Sequence, residues 1–256
     1  MTSILPQPPR QKTPEFDVDE ANQFLAEETP EGVLRWAIDS FGADLKIATS
    51  LGAEDMVLLD MAHRLANAQQ EKLQIFTLDT GRLHEETYVL LHRAQQKYSS
   101  GIEVVFPDAE QAQELVTLKG PLNFLASVEE RKARCFVRKV APLRRALASS
   151  NAWMTGLRAE QSTSRETARV VELDVANSNA LGHSLFKINP LLNWSHEQVW
   201  DYVATHRVPT NKLHQQGFPS IGCAPCTRAV VKGEHERSGR WWWENAEHNE
   251  CGLHAS

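Results

Sequence analysis

Residues 45–65 read LKIATSLGAEDMVLLDMAHRL and carry the clearest fold signal in the chain. Leu45–Thr49 is a short apolar run, which predicts a buried strand, and Gly52 allows a tight turn after it. Apolar residues recur at helical spacing from Ala53 to Leu65, so a helix follows the turn. The stretch therefore predicts a strand, a turn and a helix in direct succession.

The same alternation continues along the chain. We predict strands over Leu73–Leu78, Ile102–Phe106 and Trp153–Leu157, and a helix over Glu85–Tyr98. Strands that alternate with helices of this length are typical of a mostly parallel sheet with helices on both faces, an α/β fold. Ligands of such sheets bind beyond the carboxyl ends of the strands, so the turns that follow the strands form the candidate site.

Three further helices have recognisable start or stop signals. They are Pro30–Phe41, with Thr29 as N-cap and Gly42 as stop, Cys135–Ala148, with a kink at Pro142, and Ser195–His206, capped by Ser195. Composition then divides the chain into three parts. We expect a flexible arm over residues 1–29, a ligand-binding α/β domain over 30–210, and an irregular segment with a mobile catalytic tail over 211–256.

Composition and charge exclude several classes of protein. The chain has 256 residues, with 27 basic and 33 acidic side chains and a net charge of −6, so a broadly basic nucleic-acid surface is absent. No stretch approaches the roughly 18 apolar residues of a membrane helix. Four cysteines in a chain of this length do not make a disulfide scaffold. We expect a cytoplasmic protein whose anion-binding groups are concentrated locally.

Several turns carry groups that suit an anion. The turn at Ser50–Asp55 opens a helix, so free backbone N–H groups and the helix dipole can hold a phosphate, although an ordinary capped turn has the same pattern. Arginine adds a planar fork of donors that fits phosphate. Arginines lie near three such turns. Arg82 is in the turn Asp79–Arg82, Arg158 is in Gly156–Ser162 with Arg165 just after it, and Arg237 and Arg240 form a third group.

The cysteines are placed for chemistry. Cys223-Ala224-Pro225-Cys226 has the C-x-x-C spacing of redox dithiols, zinc sites and iron–sulfur sites, and inert buried thiols remain an alternative. Cys251 lies in Glu250–His254, near the last residue of the sequence, where a cysteine can move between a site and a second protein. Nearby cations would lower its pKa and produce the attacking thiolate.

Together these motifs resemble the assimilatory sulfonucleotide reductases. The chain is more similar to the thioredoxin-dependent adenylyl-sulfate (APS) reductases than to the 3′-phosphorylated (PAPS) branch. The resemblance runs from Lys46 to His254 and implies an adenine-nucleotide α-hydrolase-like (PP-loop) fold. The motifs that carry it are Ser50–Asp55, Leu78–Leu83, Arg138–Leu143, Gly156–Ser162, Gly222–Arg228, Gly239–Glu244 and Glu250–His254.

The resemblance implies a reaction and roles for individual residues. Cys251 would attack APS to form an S-sulfocysteine and release AMP, and thioredoxin or a glutaredoxin-like protein would then release sulfite. We expect no nucleic-acid or membrane partner, and a homo-oligomer stays open. The candidate catalytic residues are Cys251, His254, Lys139, Arg237 and Arg240. The candidate substrate-binding residues are Ser50, Leu51, Gly52, Leu78, Asp79, Thr80, Arg82, Gly156, Arg158 and Arg165.

One position departs from the family pattern. APS reductases of this type carry tandem cysteines before the Arg-Lys-x-x-Pro-Leu stretch, which complete a [4Fe–4S] site with the later C-x-x-C pair. Here the tandem reads Arg134-Cys135, and arginine has no lone pair for a metal. We expect a [4Fe–4S] cluster on Cys135, Cys223 and Cys226. Three outcomes stay open for the missing ligand. The cluster forms with a non-cysteine or exogenous fourth ligand, or it is a three-iron form or is lost. Alternatively, residue 134 is an altered position in an enzyme that otherwise carries the cluster.

Three other functions compete with APS reduction. The first is PAPS reduction by a protein whose cluster is incomplete. The second is an ATP-pyrophosphatase-like adenylylating enzyme, or a nucleotide-binding subunit, that shares the sheet and not the redox chemistry. The third is a zinc-stabilised binding module that uses Cys135, Cys223, Cys226 and a histidine.

Overall fold

Six short strands form one sheet in the computed structural model, which describes residues 16–69, 72–99, 101–162 and 165–244. The strand order is β3-β2-β1-β4-β6-β5, and every neighbouring pair is parallel except β5 with β6. The predicted, mostly parallel sheet is therefore confirmed. The strands are β1 (Leu45–Ala48), β2 (Ile75–Leu78), β3 (Ile102–Val105), β4 (Ala152–Met154), β5 (Val171–Leu173) and β6 (Phe186–Ile188).

Helices cover both faces of this sheet. They are α1 (Val18–Phe24), α2 (Pro30–Phe41), α3 (Ala53–Gln69), α4 (Glu85–Tyr98), α5 (Ala109–Lys119), α6 (Val128–Cys135), α7 (Ala141–Leu147), α8 (Val175–Leu181) and α9 (His196–His206). Ile47 and Met154 face a large core shared with α2, α3, α4 and α9. Phe76 and Trp153 face a smaller core shared with α7. Within the described ranges, no helix has the length and apolar content needed to cross a membrane.

Local capping explains why several predicted helices have the predicted ends. The Thr29 side chain accepts a hydrogen bond from the Gly32 N–H, and α2 ends at Gly42, whose φ is +48°. The α4 helix has the predicted bounds. Ser195 and Gln198 form a reciprocal capping box at the start of α9. The four predicted strands are also present, and each begins within two residues of its predicted first residue.

The predicted helix over Cys135–Ala148 is wrong in its start, and a π-helical turn interrupts it just before Pro142. The helix begins earlier, at Val128, where Ser127 caps it, and a π-helical turn over Phe136–Val140 joins α6 to α7. A proline ring clashes with the carbonyl group four residues before it, and the wider π turn accommodates Pro142 in this continuous run. The turn directs Arg138 and Lys139 towards the carboxyl ends of the strands.

The prediction of a flexible arm over residues 1–29 is wrong for Val18–Phe24, which form α1. The Asp17 side chain accepts from the backbone N–H groups of Asp19 and Glu20 and so caps the helix. Asn22 donates to the Val171 carbonyl at 2.8 Å and accepts from the Val171 N–H at 3.1 Å, which fastens α1 to the edge strand β5. These long-range contacts have no signature in the local sequence.

A buried carboxylate fastens three helices together at a distance from the strand ends. Asp60 of α3 is 2% exposed and accepts hydrogen bonds from Arg64 Nε at 2.6 Å, Tyr98 Oη at 3.0 Å and Tyr202 Oη at 3.1 Å. Lys97 Nζ lies 3.4 Å away. Burial would raise the pKa of Asp60, but these hydrogen bonds and charges hold it below its usual value.

Asp60→Asn removes this charge and destabilises the protein by about 2–4 kcal/mol, because two buried hydroxyls lose an ionised acceptor. The melting temperature falls by roughly 5–10 °C. A lowered folded pKa means that the stabilisation exists above about pH 4 and is lost as the pH falls through the folded pKa. In calorimetry from pH 7 to pH 3, the difference in melting temperature between wild type and Asp60→Asn therefore becomes smaller below about pH 4. Asp39→Asn, on the exposed side of α2, is the control. A difference in melting temperature that stays constant over this pH range would contradict this account.

Candidate active site

A pocket opens at the carboxyl ends of β1, β2 and β4. β1 lies between β2 and β4 in the sheet, so the chain leaves β1 in one direction and later returns on its other side. This is the topological switch point, where α/β sheets bind ligands. Ser50 and Gly52 after β1, Thr80 after β2, and Gly156 after β4 line the pocket.

The carboxylate of Asp55 joins two sides of this pocket. Its Oδ2 accepts from the backbone N–H and the hydroxyl of Ser50, both at 2.6 Å, and its Oδ1 accepts from the Gly156 N–H at 2.8 Å. Burial raises the pKa of Asp55, and the hydrogen bonds from Ser50 and Gly156 offset part of that rise. The turn after β1 and the loop after β4 are therefore held in a fixed relation.

Glycine is required at position 156. A Cβ there would lie 2.7 Å from Asp55 Oδ1 and 2.8 Å from both the Asp55 nitrogen and the Glu54 carbonyl carbon. Two of these atoms belong to the backbone at the start of α3, so they cannot rotate away. The loop after β4 thus passes close to the first turn of that helix because residue 156 has no side chain.

Cationic side chains line another side of the pocket. Lys139 comes from the π turn, Arg165 from the loop after β4, and Arg237 and Arg240 from the irregular segment beyond residue 210. Arg240 is 7% exposed, donates to the Ser220 hydroxyl at 3.3 Å and lies 4.7 Å above the Trp241 ring. Its Nε has no hydrogen-bond partner among the described residues. A buried guanidinium with an unused donor favours an anionic ligand.

Carboxylates neutralise one of the predicted cations. Arg158 is fully buried, and its guanidinium contacts Glu54 at 3.0 Å, Glu160 at 3.2 Å and Glu236 at 3.5 Å. Burial raises the pKa of Glu236, and the charge of Arg158 opposes that rise. Glu54 and Glu236 line the pocket, whereas Arg158 lies behind them. The structure therefore places Arg158 as a partner of two pocket carboxylates and not against the substrate space.

Three cysteines gather beside the pocket. Cys135, Cys223 and Cys226 share one buried cluster with Phe124 and Trp241, and all three are thiols rather than disulfides. Even so, no three Cys, His, Asp or Glu side chains of the described part of the chain converge closely enough to hold a metal ion.

The two thiols of the C-x-x-C pair differ in their electrostatic surroundings. Burial alone would raise the pKa of Cys223, but the charge of Lys139, a 3.3 Å hydrogen-bond contact with Thr80 Oγ1, and the charges of Arg240 and Arg134 hold it below its usual value. Burial and the neighbouring Cys223 raise the pKa of Cys226. The Cys223 thiol is therefore the more acidic of the two.

The structure brings most of the predicted site residues to one pocket. Those that line it are Ser50, Gly52, Leu78, Thr80, Lys139, Gly156, Arg165, Arg237, Arg240 and Cys223. Cys251 and His254 lie outside the described residues.

Four predicted substrate-binding side chains lie elsewhere. Arg158 is ion-paired with carboxylates, as described above. Leu51 is packed in the large core, with φ at +62°. Asp79 accepts from the Gly81 N–H and the Tyr88 hydroxyl, which shapes the turn after β2. Arg82 does not line the pocket, and its charge contributes to lowering the pKa of Arg138.

Sequence reasoning missed three residues of the site. Asp55 belongs to the Ser50–Asp55 motif, but an acidic residue in the first turn of a helix is common, so its role in the pocket was not predicted. Arg138 donates to the Thr80 carbonyl at 2.7 Å, and its place in the Arg-Lys pair was the available signal. Glu236 contributes a pocket carboxylate from an irregular segment, where no periodic pattern marks it.

Residues 44–229 match the family model described as the phosphoadenosine phosphosulfate reductase domain. This match spans most of the chain, from β1 to the C-x-x-C pair. The chain belongs to this reductase family. The resemblance drawn from the motifs is therefore confirmed.

Relatives of the family agree with this assignment. The chain is 51% identical to an adenosine 5′-phosphosulfate reductase of Allochromatium vinosum over 207 residues, which cover 81% of this chain and 77% of the relative. It is 42% identical to a Pseudomonas aeruginosa protein of the same name over 97% of this chain and 91% of the relative. A Candida auris phosphoadenylyl-sulfate reductase structure superimposes with a TM-score of 0.67 at 28% identity, covering 83% of this chain and 95% of that one.

Asp55→Asn should weaken nucleotide binding. An amide presents one oxygen and one NH₂ group, so it cannot accept from both Ser50 and Gly156, and the two sides of the pocket separate. The affinity for AMP, measured by isothermal titration calorimetry, falls about 10- to 100-fold. Asp60→Asn is the matched control, because it removes a buried carboxylate of the same helix that does not line the pocket, and it leaves the affinity unchanged. Unaltered AMP affinity in a folded Asp55→Asn protein would contradict the role of this carboxylate.

Proposed function

We propose that this reductase converts adenosine 5′-phosphosulfate (APS) to sulfite and AMP in assimilatory sulfate reduction. The observation that carries the proposal is a single pocket whose lining combines two kinds of group. These are the turns that contain Ser50, Gly52 and Gly156, and the cationic side chains of Lys139, Arg237 and Arg240. The relatives named adenosine 5′-phosphosulfate reductase support the same substrate.

The turns and the cations divide the substrate between them. We place the adenosine against Ser50, Gly52, Leu78, Thr80 and Gly156, where small residues and backbone groups allow a flat ring to approach. The phosphosulfate carries the negative charge, so it lies against the cations. Among these, Arg240 has an unused buried donor to direct at it.

The first chemical step transfers the sulfuryl group to Cys251. The Cys251 thiolate attacks the sulfur of APS, a sulfur–sulfur bond forms, and the sulfur–oxygen bond to the phosphate breaks. The electron pair of that bond leaves with the phosphate oxygen of AMP, and an S-sulfocysteine remains on the enzyme. Lys139, Arg237 and Arg240 stabilise the charge that develops on the leaving phosphate, and His254 adds a further cation when protonated.

The second step needs a dithiol reductant of the thioredoxin or glutaredoxin class. One of its thiolates attacks the Cys251 sulfur and displaces sulfite, which leaves with the bonding electron pair. The second thiol of the reductant then resolves the mixed disulfide and releases Cys251 as a thiolate. The reductant is oxidised by two electrons, and the sulfate sulfur is reduced by two. A reducing cytoplasm suits this chemistry.

An iron–sulfur cofactor is consistent with membership of this family. The [4Fe–4S] form expected from the sequence requires four ligands, normally thiolates. The described residues supply Cys135, Cys223 and Cys226, and the position of the fourth thiolate holds Arg134, which cannot bind iron. A four-thiolate site therefore does not fit these residues, and no step of the mechanism is assigned to a cluster.

Reduction of PAPS is the second candidate, favoured by the match to the Candida auris structure. PAPS carries an additional phosphate on the ribose. Glu54, Asp55 and Glu236 line the pocket, and their carboxylates disfavour that extra negative charge. We therefore expect kcat/KM for APS to exceed that for PAPS by at least about tenfold, since the added charge costs more than about 1.4 kcal/mol. A steady-state preference for PAPS would overturn the APS assignment.

Cys251→Ser should abolish sulfite formation and covalent labelling. A serine hydroxyl is not ionised near neutral pH, so it cannot form the thiosulfonate-type intermediate. Protein mixed with ³⁵S-labelled APS in the absence of reductant is expected to carry one label on wild type and none on the variant. Cys226→Ser is the control cysteine variant and retains the label. Equal labelling of wild type and Cys251→Ser would reject the proposed nucleophile.

A further inference from the structure

The guanidinium of Arg134 lies inside the cysteine cluster. Arg134 belongs to the last turn of α6, directly before Cys135, and is 5% exposed. Its guanidinium carbon lies 4.3 Å from the centre of the Phe124 ring, and its Nη1 lies 4.0 Å from Cys226 Sγ. Phe124 and Cys226 are members of the same buried cluster. The side chain thus points towards Phe124 and the Cys226 thiol and not into solvent.

The surroundings of Arg134 stabilise a buried positive charge. The face of an aromatic ring attracts a cation, and Phe124 presents its face to the guanidinium. Cysteine sulfur is a soft acceptor beside Nη1. The remaining nitrogen, Nη2, is buried and has no hydrogen-bond partner within the described ranges. A guanidinium keeps its charge at every accessible pH, so the cluster contains a permanent cation.

This cation is incompatible with a four-thiolate metal site. Iron in such a site is bound by thiolates, and four thiolates make the whole group anionic. Arg134 supplies no lone pair, occupies space between Phe124 and Cys226, and repels a metal cation. The local charge is therefore opposite in sign to that of a cluster held by four cysteines.

The cation also lies next to the substrate space. Cys223 and Trp241 belong to the cysteine cluster and also line the pocket, so they form a shared wall between the two. Lys139 and Arg240 line the pocket on the other side of this wall. A positive charge behind the wall adds to their attraction for an anionic ligand, because a low-dielectric interior screens it weakly.

We propose that Arg134 takes the place of the metal cofactor in this protein. Its guanidinium lies between Phe124 and the Cys226 thiol and supplies a permanent positive charge behind the substrate pocket, and the reductase works without an iron–sulfur cluster. The part of this inference that concerns substrate charge rests on the proposed function, whereas the part that concerns metal content does not.

Metal content is the first test. Wild type, Arg134→Cys and Arg134→Ser are purified anaerobically, incubated with ferrous iron and sulfide, and desalted. Iron, zinc, acid-labile sulfide, visible absorption and Mössbauer spectra are then measured. We expect substoichiometric metal in wild type and in Arg134→Ser, and about four iron atoms per chain in Arg134→Cys, which restores the fourth thiolate. Arg134→Ser matches the size of cysteine without its ligand.

Three results would overturn the inference. They are a cluster spectrum with three or four iron atoms in wild type, stoichiometric zinc in wild type, and an Arg134→Cys protein that folds and takes up no iron. Circular dichroism checks the fold of each variant. If Arg134→Cys does not fold, the wild-type metal content alone decides the question.

Charge behind the pocket is tested separately. Arg134→Ala should weaken AMP binding about tenfold, since a charge near the pocket is lost. Arg134→Lys should restore most of that affinity. Equal affinity in wild type and Arg134→Ala would overturn the electrostatic role. If the metal results hold and the protein does not turn over APS, the statement that the reductase works without a cluster is overturned together with the proposed function, and only the metal-free state of the cysteine cluster stands.

Discussion

The carboxylate of Asp55 is the contact on which the pocket depends. It accepts hydrogen bonds from Ser50 after β1 and from Gly156 after β4, which are strands on the two sides of the switch point. Parallel strands place these turns at one edge of the sheet, but they do not fix the separation of the turns. Asp55 fixes it, and the missing side chain at Gly156 permits it.

The charges that line the pocket differ from the net charge of the whole protein. The protein carries a net charge of −6, yet Lys139, Arg237 and Arg240 all line the pocket. Arg158 does not line it, and its guanidinium pairs with Glu54 and Glu236, which do. The pocket lining thus contains cations that suit an anionic ligand and carboxylates that disfavour added negative charge. A local arrangement of this kind cannot be read from net charge.

Local signals in the sequence were sufficient for much of the fold and for part of the site. Caps predicted Pro30–Phe41 with its observed ends, and the alternation of strands and helices predicted Glu85–Tyr98, because these signals act within a few residues. The π turn before Pro142 was missed, since no local signal marks it. Arg158 was assigned to the substrate and Asp55 was not, because one decisive partner of each, Glu54 and Gly156, is more than 100 residues away in the chain.

A crystal structure of the Cys251→Ser variant with APS bound tests the central claim most directly. The account predicts the adenosine between Ser50 and Gly156, and the phosphosulfate within hydrogen-bonding distance of Lys139, Arg237 or Arg240. Adenosine bound away from the turns after β1 and β4, or a phosphosulfate that faces Glu54 and Glu236, would contradict it.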